Sequence, residues 1–125
     1  MKQIYRKIYN DKINIDKKLW KKILVNDKIT DPHTQEVLDI FVNSKDLTER
    51  AGIVAKKLKY SHCAAVNGII KSYALRIINT YPEIRYPKYE NGKPALFHVP
   101  FLGERKGVYF YWTLRPELVA ALKEM

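Results

Sequence analysis

The sequence predicts an α+β domain in which helices occupy most of the chain up to about residue 80 and strands follow. Two observations support this class. Apolar residues recur at helical spacing up to about residue 79, and after Tyr81-Pro82 the period of the pattern changes from 3.6 to 2. A chain of 125 residues suits one domain, 1–125, because a domain of this size buries roughly two-thirds of its unfolded surface.

The first part of the chain predicts a strand or arm and then two helices. Residues 1–15 alternate apolar and charged side chains, which is compatible with a strand or with an arm. Asp16 is expected to cap a helix that ends near Val25, with a basic outer face. Asp31-Pro32 is expected to start a second helix, because proline is tolerated in the first turn, and residues 43–45 to end it.

Two further helices joined by a tight turn are predicted between residues 46 and 79. Asp46-Leu47-Thr48-Glu49 has the spacing of a capping box, with a carboxylate in place of the usual hydroxyl, so a helix is expected to open there and end near Leu58. Lys59-Tyr60-Ser61 is the turn, and Ser61 is expected to cap the helix that follows, from about His62 to Asn79. A short helix, a tight turn and a longer helix indicate a helix-turn-helix, here at 47–79.

The last third of the chain predicts a hairpin, a third strand and a closing helix. The predicted order is a strand at 84–89, a turn at Asn91-Gly92, a return strand at 95–99, a loop at 100–106, a strand at 108–114 and a helix from Pro116. Pro87 within the first strand indicates a sheet edge. Together with the helices, this order predicts a winged-helix-like domain whose wing is the 89–93 hairpin.

The charge of the chain indicates a polyanionic partner. The formal net charge is +10 and the isoelectric point is about 9.7, and basic side chains gain affinity for phosphates by releasing counterions. Residues 61–79 contain no Asp or Glu, as a surface facing phosphates requires. Five N-terminal lysines are expected to add attraction without sequence preference: Lys12, Lys17, Lys18, Lys21 and Lys22. The alternative is that the lysines only keep the protein in solution.

One face of the predicted fourth helix suits a DNA groove. Helical projection places five residues opposite the apolar stripe: Ala64, Asn67, Gly68, Lys71 and Ser72. Leu75 also points outward. Small residues allow close approach, an asparagine can bond adenine, and a lysine can bond guanine or phosphate. The alternative is a plain amphipathic helix whose glycine admits a neighbouring helix. The full set of predicted DNA contacts is Ser61, His62, Ala64, Asn67, Gly68, Lys71, Arg76, Lys88 and Lys93.

The aromatic run at 108–112 is a second candidate site. Alternation places Tyr109 and Tyr111 on one face of the strand and Phe110 and Trp112 on the other. Three of these residues are candidates for stacking on an extruded or modified base: Tyr109, Tyr111 and Trp112. A strand buried on both faces would explain the same residues without a ligand.

The sequence offers no catalytic, metal or cofactor site, so a non-enzymatic protein without a cofactor is expected. The histidines (His33, His62 and His98) fall in three separate elements, and the single cysteine, Cys63, cannot form an internal disulfide. His62 and Cys63 are neighbours and are expected to diverge on a helix. A nuclease centre of carboxylates and lysine stays open, because its members need not be close in sequence. Without a signal peptide or membrane span, a cytoplasmic location is expected.

Several runs resemble the N-terminal DNA-recognition domains of modification-dependent bacterial restriction proteins (type IV, McrB-like or HNH-associated). The similar runs are 54–62, 65–70, Phe97 to Gly103 and Trp112 to Leu118. The resemblance implies recognition of DNA that carries modified bases, with the 61–71 helix and the 109–112 strand as the sites. It also implies a nuclease or GTPase module in the full-length protein. The chain is then expected to be either a domain of such a protein or a stand-alone binder.

The predicted function is therefore binding of double-stranded DNA, with sensing of a modified base as the recognition module of a restriction or defence system. The alternative is a protein-interaction module, such as a phage-encoded inhibitor or decoy whose basic surface binds an acidic partner. Salt dependence separates the two, because only binding to DNA should weaken steeply as salt is added.

Overall fold

The computed structural model describes residues 6–125, which form five α-helices and a four-stranded antiparallel sheet, so the α+β class is confirmed. The helices and strands, in chain order, are β1 (Ile8–Tyr9), α1 (Lys17–Val25), α2 (Pro32–Val42), β2 (Thr48–Glu49), α3 (Ala51–Lys57), α4 (Cys63–Thr80), β3 (Phe101–Lys106), β4 (Tyr109–Leu114) and α5 (Pro116–Lys123). The strand order across the sheet is β1-β3-β4-β2. Residues 1–5, part of the predicted N-terminal arm, lie outside the described residues, and 8–9 contribute an edge strand.

Helices whose start depends on a local cap begin where the sequence predicts. The Asp16 carboxylate accepts a hydrogen bond from the Leu19 N–H at 2.8 Å, and Asp31 accepts one from Thr34 at the same distance. Such a cap satisfies one of the amide groups that the first helical turn leaves without an internal partner. α5 also begins where predicted, at Pro116, although Arg115 before it makes no side-chain hydrogen bond that caps the helix.

The predicted capping box at 46–49 is wrong. Asp46 and Leu47 have positive φ angles of 56° and 58° within a short 3₁₀ turn, and α3 begins only at Ala51. Thr48 and Glu49 form β2, which pairs with β4, and the Thr48 hydroxyl lies 2.7 Å from the Thr113 hydroxyl. Pairing with a strand 65 residues away therefore prevails over the local capping pattern.

The hairpin predicted at 84–99 forms only its turn. The Tyr89 N–H bonds the Lys93 carbonyl at 2.9 Å, and Lys88 and Pro94 make an isolated bridge. Pro87 and Pro94 have no N–H to extend a ladder, and residues 96–98 form a 3₁₀ turn instead of a return strand. The segment predicted as a loop at 100–106 is β3, so the main hairpin is β3–β4, turning at Gly107 with φ 64°.

One face of the sheet packs on the helices and forms the core. Phe101 of β3 contacts Phe41 of α2, with ring centroids 4.6 Å apart, and stacks on Trp112 at 5.5 Å. Opposite Trp112, Gly103 has no side chain because a β-carbon there would collide with the rings of His98 and Phe110. The β3–β4 hairpin is therefore held tightly against the helical layer.

A buried arginine links the elements around β3. Arg115, 3% exposed, donates to the carbonyl oxygens of Asp11 at 2.7 Å and of His98 and Val99. Burial lowers the pKa of Arg115 to about 10, because a desolvated guanidinium is less stable. The cation is bonded to backbone carbonyls and joins the segment after β1 to the turn at 96–99, so its role is structural.

Candidate nucleic-acid interface

The turn before α4 is built as predicted, but its capping residue is His62 and not Ser61. The His62 Nδ1 accepts a hydrogen bond from the Ala64 N–H at 3.0 Å, and Ser61 is exposed just before it. The turn is closed by the Tyr60 N–H bonded to the Ala55 carbonyl at 2.9 Å, with Lys59 in the left-handed region at φ 63°. This Schellman-type end to α3 makes His62 the residue that reaches the first free amides of α4.

The predicted contact face of α4 is exposed in its main part. Ala64, Gly68 and Lys71 are exposed, and the stripe on the other side is buried, consisting of Val66, Ile70, Tyr73, Ala74 and Ile77. A β-carbon built on Gly68 would have no described atom within 4 Å apart from its chain neighbours and the backbone of α4. The alternative, that this glycine admits a neighbouring helix, therefore does not hold within residues 6–125. We call Ala64, Gly68 and Lys71 the contact face.

Asn67 lies at the edge of the contact face. The residue is half-buried, and its Oδ1 is buried without a hydrogen-bond partner among the described residues. A bidentate bond to adenine needs the amide oxygen and the amide NH₂ together in the groove. The Asn67 side chain would have to rotate outward before it could make that contact.

Arg76, predicted to contact DNA, is bonded within the chain. Its Nε donates to the Ile29 carbonyl at 2.8 Å, and its Nη2 lies 3.2 Å from the Thr34 hydroxyl and 3.6 Å from the Asp31 carboxylate. The guanidinium therefore fixes α4 to the start of α2, and any phosphate would have to compete with these partners.

Lys71 connects the contact face with the sheet. Its ammonium lies 5.7 Å from the centroid of the Phe97 ring, and Phe97 stacks on Trp112 at 4.9 Å. Trp112 is 6% exposed and packs between Phe97 and Phe101, on the core side of β4. The three predicted stacking residues are therefore not brought together, because Trp112 points away from Tyr109 and Tyr111.

The other face of the sheet carries the two tyrosines, as alternation predicts. Tyr109 is 48% exposed, and the guanidinium carbon of Arg50 lies 3.9 Å from the centroid of its ring. Tyr111 is half-buried, with the Lys106 ammonium 5.7 Å from its ring. We call these four residues, Arg50, Lys106, Tyr109 and Tyr111, the tyrosine face.

The remaining predicted cations divide between two surfaces. Lys88 and Lys93 are exposed on the 89–93 turn, and the ring of Tyr89 in that turn contacts Tyr9 of β1. The turn therefore lies at the β1 edge of the sheet. Of the N-terminal lysines, Lys17 and Lys21 bond the Glu124 carboxylate at 2.6 and 2.7 Å, and these bonds lower the pKa of Glu124 to about 2.

Two basic clusters next to the contact face and the hairpin were missed from the sequence. Lys56, Lys57 and Lys59 are exposed where α3 leads into α4, and Arg105 and Lys106 are exposed before the β3–β4 turn. The first cluster is the Lys-Lys-Leu-Lys run that precedes the predicted fourth helix. The second lies in the segment that the sequence predicts to be a loop.

The ionisable residues form no metal site within residues 6–125: no group of three or more His, Cys, Asp or Glu side chains there could hold an ion. His62 and Cys63 do approach, with Nδ1 3.8 Å from Sγ, but the same Nδ1 accepts the Ala64 N–H.

His98 is buried and stacks on Tyr9 at 3.9 Å. Burial is the main cause that lowers its pKa to about 4, against the opposing effect of its hydrogen bond with the Phe101 carbonyl, and the charges of Arg115 and Arg6 lower it further. The ring is therefore neutral near neutral pH.

Comparison with family models, with curated proteins and with solved structures finds no match to the chain. The resemblance to restriction-protein recognition domains therefore stays a prediction. Within residues 6–125, no helix combines the length and apolar character needed to cross a membrane. The chemistry of the surfaces described above is the basis for assigning a function.

Proposed function

We propose that the chain binds duplex DNA, with α4 in the major groove and the β3–β4 turn beside it as a wing. The observation that carries this proposal is the contact face, which combines small residues and a lysine on a helix without carboxylates. The major groove, about 12 Å wide, admits a helix whose side chains at the surface are small enough for close approach.

The order of elements supports a winged-helix arrangement. The β3–β4 hairpin follows α2, β2, α3 and α4 in the chain, and β2 is hydrogen-bonded to β4. This order sets a two-helix unit beside a small sheet whose hairpin can reach the DNA backbone. In this proposal the wing is the turn around Gly107 rather than the predicted 89–93 turn, and β1 is an additional edge strand.

The basic clusters support contact with the DNA backbone. Lys56, Lys57 and Lys59 precede the N-terminus of α4, and Arg105 and Lys106 lie at the wing. Contacts to phosphates set the position and much of the affinity, while contacts to base edges set the specificity. Lys88 and Lys93, on the 89–93 turn at the β1 edge of the sheet, are further candidates for phosphate contact.

The proposal is tested with Lys71→Ala and a control that removes the same charge elsewhere. Lys28, exposed between α1 and α2, serves as that control as Lys28→Ala. Fluorescence anisotropy with a random duplex, titrated with salt, should show weaker binding by Lys71→Ala and a salt slope smaller by about 1. Equal affinities for Lys71→Ala, Lys28→Ala and the parent protein would exclude α4 as the contact.

Sensing of a modified base, within a protein that also carries a nuclease or GTPase module, is the finer part of this proposal. The open tyrosine face supports it, because stacking side chains recognise bases removed from a duplex. The test compares unmodified, cytosine-methylated and adenine-methylated duplexes of one sequence at one salt concentration. Equal affinities for all three would remove modification sensing and leave DNA binding standing.

A protein-interaction module is a second candidate, and one groove favours it. The groove has a volume of about 390 Å³ and is mainly apolar, between α5 and the sheet; it is lined by Leu47, Leu102, Thr113, Leu114, Pro116, Val119, Ala120 and Lys123. Apolar grooves of this kind accept side chains of a protein partner. Failure to bind any duplex at 50 to 150 mM salt, roughly the range in which phosphate contacts are strong, would favour this candidate.

A further inference from the structure

We infer that the tyrosine face is a second nucleic-acid site, which binds unpaired nucleotides of a single strand. It lies on the sheet surface that faces away from Trp112 and the core, so it is separate from the contact face of α4. Lys106 also lies at the proposed wing, but the tyrosine rings take no part in the proposed contact of α4 with a duplex, so the inference does not depend on duplex binding. Its ligand is a single strand whose bases are free to stack.

The spacing of the two tyrosines suits successive bases. Tyr109 and Tyr111 are two residues apart on β4 and lie on one face, so their positions are separated by about 7 Å along the strand. Aromatic side chains on open sheet faces bind successive unpaired bases by stacking, and every base has a face for this contact. A duplex does not offer its base faces, because they are stacked on one another.

Cations placed at the rings supply the charge that phosphates require. Arg50 lies over Tyr109 at 3.9 Å, and nearly half of Tyr109 remains exposed. Lys106 lies 5.7 Å from the Tyr111 ring and is exposed. An arginine that packs flat on a ring keeps the N–H groups at the edge of its guanidinium available for hydrogen bonds. The ring and the cation can therefore bind a base and its phosphate together.

One carboxylate on the same face, Glu104, should weaken binding of the proposed ligand, and this effect can be tested. Glu104 is exposed and directly opposite Tyr111 in the β3–β4 register, and Ile8 of β1 is its other neighbour. A negative charge at this position repels phosphates that pass over the tyrosines. Removal of that charge should therefore strengthen binding of a single strand.

The ligand is a nucleic acid rather than an apolar protein segment because of the charges at the aromatic end of this face. Two cations lie on the rings themselves, on a chain with a formal net charge of +10. The apolar groove beside α5 begins further along the same strand, at Thr113. The two surfaces are thus adjacent but differ in chemistry.

The experiment measures anisotropy of fluorescein-labelled dT12, with rU12 and a random duplex as parallel probes at one salt concentration. Tyr109→Leu/Tyr111→Leu keeps apolar bulk and removes both stacking rings. It should bind dT12 about tenfold more weakly, since a stacked base contributes roughly one order of magnitude or more. It should keep its affinity for the unmodified random duplex, whose bases stay stacked on one another. Lys71→Ala should show the reverse. The rU12 arm identifies whether DNA or RNA is preferred.

A second pair of variants keeps the test decisive if the double leucine variant is unstable. Glu104→Gln changes an exposed side chain and should tighten dT12 binding about twofold or more, as removal of a repelling charge predicts. Glu83→Gln, also exposed and distant in the chain, should leave dT12 binding unchanged. Unaltered dT12 affinity in Glu104→Gln and in a folded Tyr109→Leu variant would overturn the inference, whatever the duplex result.

Discussion

Arg76 of α4 donates to the carbonyl oxygen of Ile29 at 2.8 Å, and this bond makes Arg76 a structural residue, although the sequence predicts it as a DNA contact. The same side chain reaches Thr34 and Asp31, so it fixes α4 to the loop before α2 and to the first turn of α2. The contact face depends on this anchor for its orientation, although Arg76 itself is turned away from a ligand.

Arg76→Ala should therefore destabilise the protein. Loss of the bond leaves the Ile29 carbonyl, next to a buried side chain, without its partner, which costs about 1–3 kcal/mol of unfolding free energy. Urea unfolding measures it, with Lys71→Ala as the control, since Lys71 is exposed and should change stability by less than about 0.5 kcal/mol. A stability loss in Lys71→Ala as large as that in Arg76→Ala would contradict the assignment.

Gly103→Ala should destabilise the sheet through a collision. The added methyl group would meet His98 and Phe110 on the core side of β3. Forcing extra volume into a packed core costs about 1–3 kcal/mol, because rings and backbone must shift. Thermal unfolding should show the loss, and Gly52→Ala is the control, since its methyl group would meet the end of the flexible Arg50 side chain. A Gly103→Ala protein as stable as its parent would mean that the rings move freely.

The parts of the fold set by neighbouring residues could be predicted from the sequence. Asp16 and Asp31 cap their helices through amides three residues on, and the apolar stripe of α4 follows its own period. The edge strands could not be found this way. β2 has two residues and exists because Thr48 and Glu49 pair with Thr113 and Trp112, and no local pattern contains that partner.

In the candidate site, too, the features set by neighbouring residues could be predicted and those set by distant residues could not. Exposure of Ala64, Gly68 and Lys71 follows from helical spacing alone. The engagement of Arg76 does not, because its partners lie more than forty residues earlier in the chain. The pairing of Arg50 with Tyr109 depends on β2 lying beside β4, so it became visible only with the sheet order.

Stability should fall as the solution becomes acidic, and His98 is the group responsible. Its pKa is lowered to about 4 in the folded protein, against an ordinary value of 6.5 when unfolded. Between these values the unfolded chain binds the proton more readily, so the contribution of His98 to stability is fully present above about pH 6.5, decreases through this window and is lost below about 4. The total effect is on the order of 3 kcal/mol.

Urea unfolding at a series of pH values between 4 and 7 measures this dependence. His98→Gln should lower stability at every pH and flatten its slope, because the titrating ring is gone. His33→Gln removes an exposed histidine and should leave the slope intact. If His98→Gln kept the full slope, the acid sensitivity would belong to another group.

Gly68→Glu should separate folding from binding at the contact face. Glutamate favours a helix over glycine by about 0.5–1 kcal/mol, and the position of its β-carbon has no described atom within 4 Å apart from its chain neighbours and the backbone of α4, so unfolding free energy should rise. The carboxylate would face DNA phosphates and fill the space that lets the backbone approach, so duplex affinity should fall at least tenfold. Asn79→Glu, an exposed position near the end of α4, makes the same change in charge and should weaken duplex binding much less. If the two variants weakened duplex binding equally, the loss would reflect net charge alone, and the contact face of α4 would no longer be the site.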